Sequence, residues 1–202
     1  MYKLLAFIML LGAVSVPAQT YNPKVSLKAF VVPNIKKVYV DVSKAAVGSS
    51  ATRDMGHSNT TTVAVVGEMD GKKLVELTGA FMKDFASNKP AVVVFLVDDS
   101  GKVHKAWGGL AGGKAVELDV PPEQKAPAGQ KMDSKSKDIA AVTVCGIKGE
   151  GKEYTNKFGT SSVWTNKDFA FFGGVVQTSG KNFKITLTKH SKSGAKAQLK
   201  VK

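Results

Sequence analysis

The chain has 202 residues and is strongly basic: 29 Lys and Arg face 16 Asp and Glu, a formal charge of +13, and Arg53 is the only arginine. The single cysteine, Cys145, excludes an intramolecular disulfide, so the fold must be held by packing. Specific nucleic-acid readers favour arginine for bidentate contacts; an excess carried by lysine argues for diffuse attraction to anionic surfaces instead.

Residues 1–18 read as a secretory signal peptide, with Lys3 before an apolar stretch over 4–16 and a small-residue cleavage site at Val16-Pro17-Ala18. The apolar run is short for a membrane anchor, and no later segment is long or apolar enough for a spanning helix. The rest, 19–202, is expected to be one secreted, extracellular domain.

In chain order, 25–32 and 35–42 read as strands hinged at Pro33-Asn34, the second alternating Val38, Val40 and Val42 with Tyr39 and Asp41. Small polar residues over 43–59 read as a loop. Four hairpins follow, at 63–78, 92–107, 142–158 and 171–189, each with a Gly-Lys pair: Gly71-Lys72, Gly101-Lys102, Gly151-Lys152 and Gly180-Lys181. Glycine accepts the positive φ of tight turns, so turns are expected at Asp70-Gly71, Ser100-Gly101, Glu150-Gly151 and Ser179-Gly180. Between the first two hairpins, 79–88 reads as a short helical turn with Phe81 and Phe85 four apart. Another strand is expected over 114–120. The Pro-, Lys- and Ser-rich stretch 121–137 reads as a long exposed loop. The tail 195–202 alternates small or apolar with cationic residues, as an edge strand would. The fold expected is all-β, a hairpin-built antiparallel β-sandwich.

Catalytic and metal signatures are missing. His57, His104 and His190 lack zinc spacing. Asp98-Asp99-Ser100-Gly101 lacks the alternating acids and terminal glutamate of a calcium loop. Gly108-Gly109 and Gly112-Gly113 are not followed by the Lys-Ser/Thr of a phosphate loop, and there is no nucleophile elbow. No enzyme, metal or cofactor is expected. Trp107, Trp164, Tyr39 and Tyr154 read as core or cross-strand partners, with a sugar-binding face as the alternative. Cys145, in the apolar run 139–145, reads as a small buried hydrophobe, with a disulfide bridge between two chains as the alternative. Asn59-Thr60-Thr61 is the only glycosylation sequon, which makes Asn59 the candidate acceptor.

Ser, Thr, Gly, Ala, Val and Lys make up well over half of the chain. The stretch Ala45-Ala46-Val47-Gly48-Ser49-Ser50-Ala51-Thr52 is of a small-residue type, whereas 92–105 and 181–202 are rich in Val and Lys. In this texture the chain resembles the small, cysteine-poor barnacle cement proteins, secreted underwater adhesives that alternate such stretches. The resemblance covers most of 19–202 as composition, and four methionines (Met55, Met69, Met82 and Met132) and two tryptophans depart from it. It implies a non-enzymatic structural or adhesive protein whose partners are anionic or mineral surfaces, other matrix or cement proteins, and further copies of itself through β edges. Lys184, Lys189, Lys196, Lys200 and Lys202 are the surface-contact candidates. The alternative is a secreted binding module for acidic polysaccharide or anionic membrane surfaces.

Overall fold

A computed structural model describes residues 35–36, 39–56, 59–83, 90–120 and 134–201. The expected signal peptide, the strand at 25–32, its hinge, His57 and Lys202 lie outside these residues. The described chain is all-β and antiparallel. Its strands are β1 (Ser50–Asp54), β2 (Thr60–Met69), β3 (Lys72–Lys83), β4 (Pro90–Val97), β5 (Val103–Leu110), β6 (Val116–Leu118), β7 (Lys135–Val144), β8 (Ile147–Asn156), β9 (Gly159–Thr165), β10 (Val175–Gly180) and β11 (Phe183–Ser191). They form one continuous sheet in the order β6-β5-β4-β3-β2-β1-β11-β10-β9-β8-β7. Strands β1 to β5 and β10 to β11 contribute to one core cluster, with Val63, Val75 and Phe95 joined by Val176 and Leu187, and Val144, Ile147 and Trp164 pack against it. Each half is a plain meander, and the two halves meet where β1 pairs with β11.

The core explains the sequence of β4. Ala91, Val93, Phe95 and Val97 enter the main cluster, while Val92, Val94 and Leu96 enter a second cluster on the opposite face. A strand buried on both sides shows an unbroken apolar run instead of alternation. The main cluster is filled by Ile35, Tyr39, Val40, Val42 and Ala45 and by Phe169-Ala170-Phe171-Phe172. The stretch 35–42, expected as a strand, makes only an isolated bridge, Val40 to Phe171. Its amides turn inward: Tyr39 N and Val40 N donate to Ile35 O, Asp41 N to Ala170 O, and Phe172 N to Tyr39 O. Val40 and Val42, both fully buried, serve as a plug.

Two of the four expected turns stand. Asp70 (φ 51) and Gly71 (φ 69) join β2 to β3, and Gly101 (φ 87) closes the β4–β5 turn. In that turn Asp98 Oδ1 accepts from Ser100 N, Ser100 Oγ and Lys102 N, and Asp98 Oδ2 lies 2.7 Å from His104 Nε2. The Ser100 hydroxyl, followed by His104, holds the Asp98 carboxyl well below the ordinary aspartate range.

The other two turns are displaced. Gly151 lies inside β8, paired with Ile139 and Trp164, and the β7–β8 turn falls instead at Cys145 (φ 49) and Gly146 (φ 77). Gly180 is the last residue of β10, and the turn to β11 is Lys181-Asn182. At both positions glycine makes room for a ring. A Cβ on Gly151 would sit 2.6 Å from Trp164 Nε1, and one on Gly180 would sit 2.4 Å from Phe183 Cε1. A further hairpin, β8–β9, has no counterpart in the expected set; Asn156 Oδ1 caps it by accepting from Phe158 N at 2.8 Å.

Other expectations also change. Residues 50–54 of the expected loop form β1, which pairs on one side with β2 and on the other with β11. The expected helical turn at 79–88 is strand as far as Lys83, and 84–89 lie outside the described residues. The expected loop at 121–137 ends early, since β7 starts at Lys135, and 121–133 lie outside the described residues. The strand expected over 114–120 shortens to Val116–Leu118. Cys145 is exposed, because a left-handed turn position presents it to solvent; its Sγ donates only a long bond, 3.5 Å, to Leu187 O. Native protein should therefore be alkylated at Cys145 without denaturant by a thiol reagent. Labelling that begins only after unfolding, followed by mass spectrometry, would contradict this.

The tail does not extend the sheet as an edge strand. It crosses the outer face of β3 to β5 as a strap with one isolated bridge, Lys114 to Lys200, and it buries Leu199. Gly109 leaves the notch for that side chain, since a Cβ there would lie 2.8 Å from Leu199 Cδ1.

Candidate functional surface

The expected contact lysines fall on two elements. Lys184 and Lys189 are exposed on β11, and Lys196 and Lys200 are exposed on the strap. Lys189 stands across the ladder from Thr52, which pairs with Thr62, which pairs with Thr78. Directly paired residues share a face, so one rung carries an ammonium followed by three hydroxyls. Thr52 and Thr62 hydroxyls bond each other at 2.8 Å, and Thr188 donates to Thr52 O at 3.2 Å. The neighbouring rungs pair Ser50 with Ser191 and Asp54 with Thr186. The hydroxyl rows were missed in the sequence. Their signal is Ser/Thr spaced by two at Ser50 and Thr52, Thr60 and Thr62, and Thr186 and Thr188, obscured by the buried Thr61 and by a register shift between Thr52 and Arg53.

Lysines elsewhere are partly committed. Lys73 Nζ donates to Val42 O and Ala45 O, Lys137 pairs with Glu153 at 2.8 Å, and Lys152 lies 3.7 Å from Asp138. Arg53 turns inward: its guanidinium lies 4.2 Å from the Phe172 ring centroid, and its buried Nε has no hydrogen-bond partner. Burial pushes its pKa down to about 10, and the nearby Tyr39 opposes that shift. The one arginine is thus half-buried with its guanidinium turned inward, and lysine carries most of the exposed positive charge of the described residues.

A separate cleft of about 320 Å³ lies between the two plug segments, lined by Lys36, Asp41, Lys44, Asn166, Lys167 and Gly173 among others. Lys36 pairs with Asp41 at 3.3 Å, and Lys44 Nζ donates to Lys167 O at 2.9 Å. The two described histidines lie in different elements. His104 belongs to the β4–β5 turn, and His190 packs edge-on to Phe169 at 5.3 Å. Burial, and then Lys192, lowers the His190 pKa. Among the described residues no three His, Cys, Asp or Glu side chains converge as a metal site, and no helix is long and apolar enough to cross a membrane. Trp107 is buried against Leu199, and half-buried Trp164 donates from Nε1 to Ala140 O at 2.9 Å. Asn59 is exposed at the start of β2, its amide donating to Gly56 O.

No family model matches the chain, and no curated protein matches it. Among solved structures it is similar to the crystal structure of MucB, at 14% identity with a TM-score of 0.39, over 87% of this chain and 60% of that one. That likeness is too distant to bear on function.

Proposed function

We propose that the protein is a secreted, non-enzymatic structural or adhesive protein that attaches through lysine, Ser/Thr hydroxyls and exposed apolar side chains and associates with further copies through its β edges. The observation that carries this reading is the outer face of β11, β1 and β2, where Lys184 and Lys189 stand beside rows of hydroxyls. Ammonium groups are drawn to anionic mineral or biofilm surfaces, and hydroxyls replace surface water with hydrogen bonds. Such contacts are individually weak and sum over many side chains. In salty media the Debye length falls to a few ångströms, so lysine repulsion between copies is screened and edge-to-edge pairing becomes easier. The barnacle cement resemblance and the N-terminal leader expected from the sequence agree with this use. Glycosylation at exposed Asn59 belongs to the same secreted setting.

Replacing Lys184, Lys189, Lys196, Lys200 and Lys202 by glutamine is expected to reduce adsorption to silica at low salt in a graded way, with little change on an apolar surface. Adsorption isotherms check it. Loss through one substitution alone, or full competition by one soluble sugar, would favour the alternative reading as a module for acidic polysaccharide or anionic membrane. The cleft lined by Lys36, Lys44 and Lys167 is the observation that supports that alternative.

A further inference from the structure

The strap carries a polar anchor as well as Leu199. Glu76, in the middle of β3, is only 2% exposed. Its Oε2 accepts from Gln198 N at 2.8 Å and its Oε1 from Gln198 Nε2 at 2.9 Å, and Leu199 N also donates to the carboxyl. Gln198 is in turn fixed through its own carbonyl, which accepts from Gly112 N at 2.9 Å.

Among the described residues no cation pairs with this buried acid. Directly across the ladder it meets Ala64 of β2 and Val94 of β4, neither of which titrates. Farther out on the same face stand Glu117, reached through Trp107, Lys105, reached through Leu96, Lys72 on β3 itself, and Lys189, reached through Thr78, Thr62 and Thr52. The strap and its bridging partner add Lys196, Lys200 and Lys114, all exposed. A carboxylate buried without a counter-charge is costly, whereas a protonated carboxyl and a carboxamide are complementary partners. Rotation of the Gln198 amide lets the acid O–H donate to the amide oxygen while the amide N–H donates back.

We propose that Glu76 is a proton-operated latch: the C-terminal strap closes over the sheet while Glu76 is protonated and loosens as it ionises, uncovering an apolar strip. The strip is Val92, Val94, Leu96 and Trp107, all buried beneath the strap. The latch stands independently of the adhesive reading; its use in offering a contact face to apolar surfaces rests on that reading.

The direction follows from linkage. Burial raises the Glu76 carboxyl above the ordinary glutamate value, and the Gln198 and Leu199 donors oppose that shift. In the open state the carboxyl meets water and titrates normally. Closure is therefore strongest below the open-state value and weakens as pH rises toward and through the closed-state value.

The test is amide hydrogen exchange on the full chain between pH 4 and 8, corrected for the intrinsic pH dependence of exchange. Protection of the Gln198 and Leu199 amides should fall as pH rises, tenfold in total for each unit separating the two states' carboxyl pKa values. Glu76→Gln should abolish that dependence, and Leu199→Ala should lower protection at every pH while keeping it. Acrylamide quenching of tryptophan should rise with pH in the wild type alongside the loss of protection. Protection that is flat with pH in the wild type, or a slope unchanged in Glu76→Gln, overturns the latch. Should Glu76→Gln fail to fold, the wild-type and Leu199→Ala titrations decide the matter. If the latch holds but opening does not change adsorption to an apolar surface, the adhesive use fails while the latch stands.

Discussion

Replacing Gly151 by valine is expected to destabilise the protein by about 3 kcal/mol, the upper part of the range for overpacking a filled site. In an ordinary strand the same change would favour the fold, because valine suits a pleated surface and glycine does not. Here a Cβ meets Trp164 Nε1 at 2.6 Å, Ile139 Cγ1 at 2.7 Å and Trp164 Cδ1 at 2.8 Å. The indole cannot move aside cheaply, since its Nε1 is bonded to Ala140 O at the β7 bulge. Gly67→Ala is the control: its Cβ would touch only Leu74 Cδ1, at 3.6 Å, an ordinary contact. Urea unfolding should show a large drop in midpoint for Gly151→Val and little change for Gly67→Ala. Equal effects would remove the special role of the indole.

Phe172→Ala should be the most damaging truncation, at about 4 kcal/mol, within the range for emptying a large aromatic site. Phe172 is fully buried, and its amide donates to Tyr39 O at 2.7 Å, so the ring seals the junction of the two plug segments. It also stacks on Arg53. Losing the ring leaves a desolvated guanidinium without its π face and adds a cation–π loss to the cavity. Phe172 has φ 54 and is followed by Gly173 at 65 and Gly174 at 82, a left-handed run that a bulky residue occupies only when packing holds it there. Phe158→Ala, on a ring that is 71% exposed, should change stability by less than about 0.5 kcal/mol. Thermal unfolding of the two variants side by side distinguishes core packing from a general aromatic effect.

Legibility in the sequence tracked how local each cause is. The β2–β3 and β4–β5 turns were readable because Gly71 and Gly101 need positive φ within the turn itself. Gly151 and Gly180 carry the same Gly-Lys signature for another reason, namely the close approach of Trp164 and Phe183 from across the ladder or the turn. A single sequence does not distinguish a glycine that bends from one that makes room. The β7–β8 turn then fell to Cys145, a non-glycine in a left-handed conformation, and an apolar run became one strand ending on an exposed thiol. The strand β1 was hidden because its residues are small and polar and its order comes from two neighbours distant in sequence. The plug over 35–42 alternates like a strand, and the strap over 195–201 alternates like an edge; what separates them from strands is tertiary, as Leu199 in its notch shows. Of the candidate surface, the lysines of β11 and the strap were legible as charge, whereas the hydroxyl rows beside them needed the register. Glu76 gave no signal at all, standing as one polar residue in an alternating strand.

The order of the sheet also bears on how the chain acquires its shape in time. Within each meander, neighbours in space are neighbours in sequence, so their contacts close short loops and form early. The seam between the halves is different, because Ser50 pairs with Ser191 and Asp54 with Thr186, and the ladder between them closes most of the chain. Until that seam zips, β1 and β11 are both raw edges at the middle of the future sheet, each able to pair with the same edge of another molecule. Folding is then a race between an intramolecular closure, whose rate is independent of concentration, and a bimolecular capture that grows with it. Dilute refolding should favour the closed monomer. High concentration would favour chains joined at a seam that the finished fold conceals.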